Sequence, residues 1–143
     1  MPGRNAYLLS VLLVVLSIMF TTGCSDETTA RDYYQKSFQF INAGSPQDAI
    51  DLLTIAIKKD PSFLEAYYNR GVMYYFQKKY QNALNDFDKA ISLNANHAGA
   101  FASRGTVYDK LNKPDQSLMD FKTAARLGDK ETQDYLRTKG ITW

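Results

Sequence analysis

The chain has 143 residues, 45% of them hydrophobic and 22% charged, with 17 lysines and arginines against 15 aspartates and glutamates. That is the balance of one ordinary globular domain, and a net charge of +2 supplies no concentrated basic face of the kind that tracks a nucleic-acid backbone, so no nucleic-acid partner is expected. One cysteine excludes an internal disulfide, and one cysteine with one histidine leaves no set of ligands for a structural zinc site.

Residues 1–23 open with Arg4 and run into the uncharged stretch 6–20, AYLLSVLLVVLSIMF. A helix needs about 20 apolar residues to cross a bilayer, whereas a run of about 15 fits the core of a signal peptide. The sole cysteine, Cys24, follows directly behind Thr21, Thr22 and Gly23. This arrangement resembles a bacterial lipobox. The resemblance implies cleavage before Cys24, a diacylglycerol on its thiol and acylation of the new N-terminus with a fatty acid such as palmitate, although Thr21 stands where leucine is usual. An uncleaved N-terminal anchor and an ordinary secretory signal are the alternatives. Several acyl chains hold a protein durably on a membrane, since each buried CH₂ contributes about 0.8 kcal/mol. By the same resemblance, Ser25 permits export to the outer membrane, which places the chain in the bacterial cell envelope facing the periplasm. Residues 24–29 form the tether, and its polar part, SDETT, reaches at most about 17 Å when extended.

From residue 30 the sequence repeats: segments 30–63, 64–97 and 98–131 superpose at a step of 34 with no gap. Tyr33, Tyr67 and Phe101 share one place, and Phe40, Tyr74 and Tyr108 another. Small residues recur at Ser37, Gly71 and Gly105, at Ala49, Ala83 and Ser117, and at Ala56, Ala90 and Ala124, with Leu53, Phe87 and Phe121 between the last two sets. Large side chains alternating with small ones are what two helices need in order to approach to 8–10 Å. Helices are predicted over 29–42, 46–58, 63–76, 80–93, 97–110 and 114–126. Thr28, Ser62 and Asn96 recur where a side-chain oxygen can cap a first turn, and Ser62 with Glu65 has the form of a capping box. Ser45-Pro46 and Lys113-Pro114 put proline at the first helical position. Gly128 ends the sixth helix in a left-handed turn, and Asp129 caps a seventh that runs to about residue 139, with Tyr135 and Leu136 as its apolar contacts. Segment 129–143 thus reads as a C-terminal cap, followed by Ile141 and Trp143.

The period and the order of aromatic, small and bulky positions resemble the tetratricopeptide repeat. The resemblance implies an all-α fold, an α-solenoid of three helix pairs (30–63, 64–97 and 98–131) closed by a C-terminal capping helix. Trp of the family pattern is replaced by Tyr or Phe, Lys36, Arg70 and Arg104 stand where leucine is usual, and only the first repeat keeps the closing proline, at Pro61. Asp86 and Asp120 follow the two arginines by sixteen residues, on the second helix of each pair, so an ion pair across each hairpin accounts for that departure.

In this family the first helix of each pair lines a concave groove. With Tyr67, Gly71 and Tyr74 toward the core, the adjoining stripe at i, i+4, i+7 is Tyr68, Val72 and Tyr75, flanked by Asn69 and Phe76. The first repeat contributes Tyr34, Phe38 and Ile41 with Gln35 and Asn42, and the third contributes Ala102, Thr106 and Asp109. A groove that is aromatic at one end and polar at the other suits an amphipathic helix or an extended peptide with an apolar anchor. The same stripe can also be seam between successive first helices. Phe38 and Val72 fit either reading, whereas Tyr68 and Tyr75 are read as exposed anchors. A carboxylate clamp like that of the chaperone-binding branch, built from Lys and Asn, is matched here by Asn69 alone.

The chain assembles no set of nucleophile, base and metal ligands, no Gly-rich phosphate loop and no G-x-S-x-G, so neither catalysis nor a metal or cofactor is expected. His97 falls at a repeat boundary, and the pairs Asp86/Asp88 and Asp129/Glu131 belong to helix surfaces and ends. The reading is a non-catalytic, membrane-anchored scaffold that binds an unidentified protein or peptide in its groove. A self-associating, homodimeric structural lipoprotein and an accessory subunit of a pilus-type or secretion-type envelope assembly are the alternatives.

Overall fold

In the computed structural model, which describes residues 28–143, the chain runs through seven helices: α1 (Ala30–Asn42), α2 (Pro46–Lys59), α3 (Leu64–Phe76), α4 (Tyr80–Leu93), α5 (Ala98–Lys110), α6 (Pro114–Arg126) and α7 (Lys130–Thr138). The expected signal peptide, Cys24 and most of the tether lie outside the described residues. Every helix boundary falls within one residue of the one expected from the sequence. Helices α1 and α2, α3 and α4, and α5 and α6 form hairpins; each second helix then packs on the next first helix, and α7 closes the stack on α6. Among the described residues no helix is long and apolar enough to cross a membrane.

The recurring small residues sit where the helices touch. Ala49, Leu53 and Ala56 of α2 and Ala83, Phe87 and Ala90 of α4 are at most 1% exposed, and Ala124 of α6 is fully buried. Gly71 is a close-approach position, because a Cβ there would stand 2.8 Å from Cε1 of Phe87; at Gly105 it would stand 3.0 Å from Phe121. Phe40, in register with the half-buried Tyr74 and Tyr108, instead remains exposed on the first hairpin.

Each hairpin turns through a residue in the left-handed region: Gly44 at φ 69°, Lys78 at φ 59° and Asn112 at φ 56°, three positions 34 residues apart. The next residue's N–H then reaches back to the carbonyl of Phe40, Tyr74 or Tyr108, at 2.9 Å each time, which closes the helix end. Gly128, at φ 95°, ends α6 as expected.

The expected caps shift by one residue. Thr29, not Thr28, caps α1, in a capping box with Asp32. Ser62 does not cap α3: the N-cap is Phe63, and both the N–H and the hydroxyl of Ser62 donate to Asp60 instead, at 2.9 and 2.6 Å. Asn94 and Asn96 repeat that turn, while the cap of α5 is His97, whose Nδ1 accepts from Ala100 N–H at 3.0 Å. Ser45 makes no side-chain cap. These tight Asx turns use the short polar side chains before the helix begins, so the helix starts one residue later. Asp129 caps α7 as expected, accepting from Thr132 N–H at 2.8 Å.

The two ends of the array differ. Ala66 and Met73 of α3 are buried against α2, and Val107 of α5 against α4; the matching positions of α1 are the polar Asp32 and Gln39, beside the exposed Phe40. At the other end Thr132 and Leu136 of α7 are buried, but Leu118 and Met119 of α6 stay 36% and 61% exposed, and Trp143 stays 37% exposed.

Candidate functional site

The first helices lie side by side, α3 touching α5, and their shared face carries the predicted stripe. Its members divide into seam and groove. Tyr34 packs on Phe63 and Phe38, with ring centroids 4.9 and 5.0 Å away, and its hydroxyl accepts from Asn69 Nδ2 at 3.0 Å. Burial pushes the Tyr34 phenol up, and the Asn69 bond opposes it. Tyr34 and Asn69 therefore tie α1 to α3 rather than standing free.

Tyr68 departs further from the expectation of an exposed anchor. It is half-buried, with its ring 5.9 Å from core Phe87 and 4.9 Å from His97, and its hydroxyl lies 3.4 Å from Ser103 Oγ. Gly99 adjoins it, an added Cβ there meeting the Tyr68 oxygen at 3.4 Å, an ordinary van der Waals contact. Tyr67, expected on the core side, is likewise only half-buried, beneath the cations Arg70 and Lys89, 5.7 and 5.9 Å from its ring centroid. Val72 is half-buried and packs against both core clusters.

Phe38 (38% exposed) and Phe76 (66% exposed) are the open members of the stripe, and Ile41, Tyr68 and Tyr75 are half-buried. Tyr75 is braced by Phe76 and Tyr80. Ile41, Met73 and Phe76 border a shallow depression of about 230 Å³ with the turn at Gly44. Beyond Tyr75 the groove deepens into a cleft of about 480 Å³ between α3, α5 and α7, walled by Tyr68, Tyr75, Ser103, Thr106, Asp109 and, from the cap, Asp129, Glu131 and Tyr135. The cap's share of this wall is what sequence reasoning missed. Its signal was the Gly128-Asp129 junction, which starts α7 at Lys130, two residues ahead of a 34-residue step from Ala98.

Residues 64–97 match the family model for the tetratricopeptide repeat. The second such domain of Spaghetti (RPAP3), solved with the HSP90 peptide SRMEEVD, is similar at 29% identity and TM-score 0.68 over 71% of this chain and 94% of that one. The first such domain of the same protein, with the same peptide, gives 26% and 0.73 over 77% and 89%. The fold is the tetratricopeptide solenoid. MamA is also similar, at 27% identity and TM-score 0.69, over 74% of this chain and 62% of that one, so the chain spans less than two thirds of MamA. No curated protein matches the sequence.

Within this tetratricopeptide solenoid the departures at Arg70 and Arg104 are ion pairs, as expected. Arg70 Nε and Nη2 donate to the two oxygens of Asp86 at 2.8 Å each, and Nη1 reaches back to Thr54 Oγ1 of the preceding hairpin at 3.0 Å. Arg104 repeats the arrangement with Asp120 and reaches back to Asp88, which occupies the place of Thr54 one repeat on. Burial pushes the Asp86 carboxyl up against the pull of Arg70, and the bonds to Asp120 and Asp88 hold Arg104 firmly cationic despite its own burial. These arginines brace the solenoid and point away from the stripe's chemistry. Among the described residues no three metal-ligating side chains converge.

Proposed function

We propose that the protein is a non-catalytic scaffold, held on the membrane by lipid on Cys24, that seats a segment of a partner protein in the groove of its first helices. The observation that carries this reading is the surface that runs from Phe76 and Tyr75 into the cleft beside α7, with Phe38 exposed on the same stripe. It combines exposed aromatic side chains with an open, partly polar trough, the surface that anchors peptides. The RPAP3 domains, similar in fold, were solved with a bound peptide, which supports a peptide as ligand class here. Their peptide is acidic. This chain offers no lysine or arginine at Tyr68, Val72, Tyr75, Ala102 or Thr106, so the same peptide has no cationic seat on the stripe.

The proposed location is the outer membrane of a bacterial envelope, facing the periplasm. A tether of only 24–29 keeps the groove close to the lipid surface, so its partner is itself membrane-bound or assembled there, as in a pilus-type or secretion-type assembly. Photo-crosslinking from position 76 in intact membranes, followed by mass spectrometry, tests the groove. Crosslinks to one discrete protein support it, and their absence from position 76 while the opposite face yields them overturns it. Mass spectrometry of the membrane form tests the anchor, because an unmodified Cys24 removes it.

A second reading, self-association, is favoured by one observation: Leu118, Met119 and Trp143 stay exposed toward the C-terminal end of the array. Sedimentation of the Met119→Lys variant beside the parent decides this. A dimer that dissociates in the variant supports it, and a parent that remains monomeric at all concentrations rejects it.

A further inference from the structure

The cleft at the C-terminal half of the groove carries a charge of its own. Asp109 at the end of α5 and Asp129 and Glu131 at the start of α7 lie on its wall beside Tyr75 and Tyr135, with Lys110 as the opposing cation. Asp129 is engaged as the cap of α7, but Asp109 and Glu131 are exposed and enter no salt bridge among the described residues. Two uncommitted carboxylates thus face a trough whose sides are phenol rings.

We infer that this half of the groove selects a partner segment in which a lysine or arginine stands beside an aromatic or branched apolar side chain, and that it rejects acidic segments. The inference rests on the groove reading above and adds the partner's chemistry to it. A guanidinium or ammonium group here gains twice: it pairs with Asp109 or Glu131, and it can lie over the electron-rich face of Tyr75, the ring of Tyr135 already carrying Lys139 at 5.9 Å. Its apolar neighbour then covers the exposed ring of Phe76 and the braced ring of Tyr75, which together border a second hollow of about 220 Å³ with Tyr68, Val72 and Thr106. A carboxylate entering the same trough meets these like charges, offset only in part by Lys110 on the wall and by Lys139, whose Nζ lies 5.9 Å from the ring centroid of Tyr135.

The test is selection from a random peptide library displayed on phage, using the full chain in micelles of an uncharged detergent. Enriched peptides are expected to carry Lys or Arg next to an aromatic or branched apolar residue and to be depleted in Asp and Glu. In the Asp109→Asn/Glu131→Gln double variant, both changes at exposed positions, the basic residues lose their enrichment while the apolar ones keep theirs. The affinity of a selected basic peptide falls about three- to tenfold, and the remainder becomes less sensitive to salt. Enrichment of acidic peptides, or a basic preference that survives the double variant, overturns the inference and leaves the groove reading standing. No enrichment above empty micelles, with Phe76→Ala no different from the parent, removes both.

Discussion

Arg104 grips Asp120 edge-on, Nε and Nη2 each donating to one carboxylate oxygen at 2.8 Å, and Arg70 grips Asp86 the same way one repeat earlier. Each grip joins the two helices of a hairpin, and the remaining guanidinium nitrogen joins that hairpin to the one before it. The solenoid thus replaces an apolar contact with a hydrogen-bonded charge pair that spans two repeats. The Asp120 side chain is 1% exposed, so removing its partner strands a buried charge.

Arg104→Ala is therefore expected to lower stability by about 3–5 kcal/mol in urea unfolding, and Arg70→Ala by a similar amount. The double change Arg104→Met/Asp120→Leu should recover most of that loss, since an apolar pair of like size needs no desolvated charge. A loss below about 1 kcal/mol in the single variants, the scale of a surface pair, contradicts this role.

Lys78 and Asn112 occupy left-handed turns that Gly44 fills without strain in the first hairpin. Lys78→Gly should raise stability by up to about 1 kcal/mol, with a smaller gain for Asn112→Gly because asparagine tolerates this region better. The gain is less than the full left-handed penalty because glycine also frees the unfolded chain. A thermal midpoint lowered by Lys78→Gly contradicts the turn geometry.

Gly71→Ala separates helix propensity from packing. Propensity alone favours alanine by about 1 kcal/mol. A Cβ 2.8 Å from Phe87, whose ring is 1% exposed and walled in by the core, argues for a net loss of about 1–3 kcal/mol instead. Ala90→Leu, at a fully buried contact in the same hairpin, should lose a similar amount. Calorimetric melting of the two variants checks both.

Phe76 and Tyr68 separate binding from folding. Phe76→Ala removes a ring that is 66% exposed and should change stability by no more than about 0.5 kcal/mol while weakening partner capture by about 1–2 kcal/mol. Tyr68→Ala removes the ring between Phe87 and His97 and should cost about 1–3 kcal/mol of stability. Circular dichroism melts beside crosslinking yields measure both. If Phe76→Ala crosslinks as fully as the parent does, the groove is not the working surface.

The sequence by itself determined the array. A repeat of 34 residues, with small positions at Gly71, Ala83 and Ala90 and bulky ones at Phe87, admits one packing of helix pairs, because period and side-chain volume are local properties that survive translation along the chain. It also determined the Arg70–Asp86 and Arg104–Asp120 pairs, since two charges at recurring apolar places on facing helices must find each other. Tertiary structure alone decided which stripe residues remain free. Tyr34, Tyr68 and Tyr75 belong to one stripe, yet Tyr34 is held by Asn69, thirty-five residues on, while Tyr68, packed on Phe87 and His97, and Tyr75 both wall the cleft. Asp109 on that cleft's acidic wall belongs to the repeat stripe, but Asp129 and Glu131 come from the start of α7, which leaves the 34-residue register at Gly128, so no repeat pattern could place them. Exposure depends on how closely neighbouring helices approach and where the last one turns, and these are set by contacts between residues far apart in the chain.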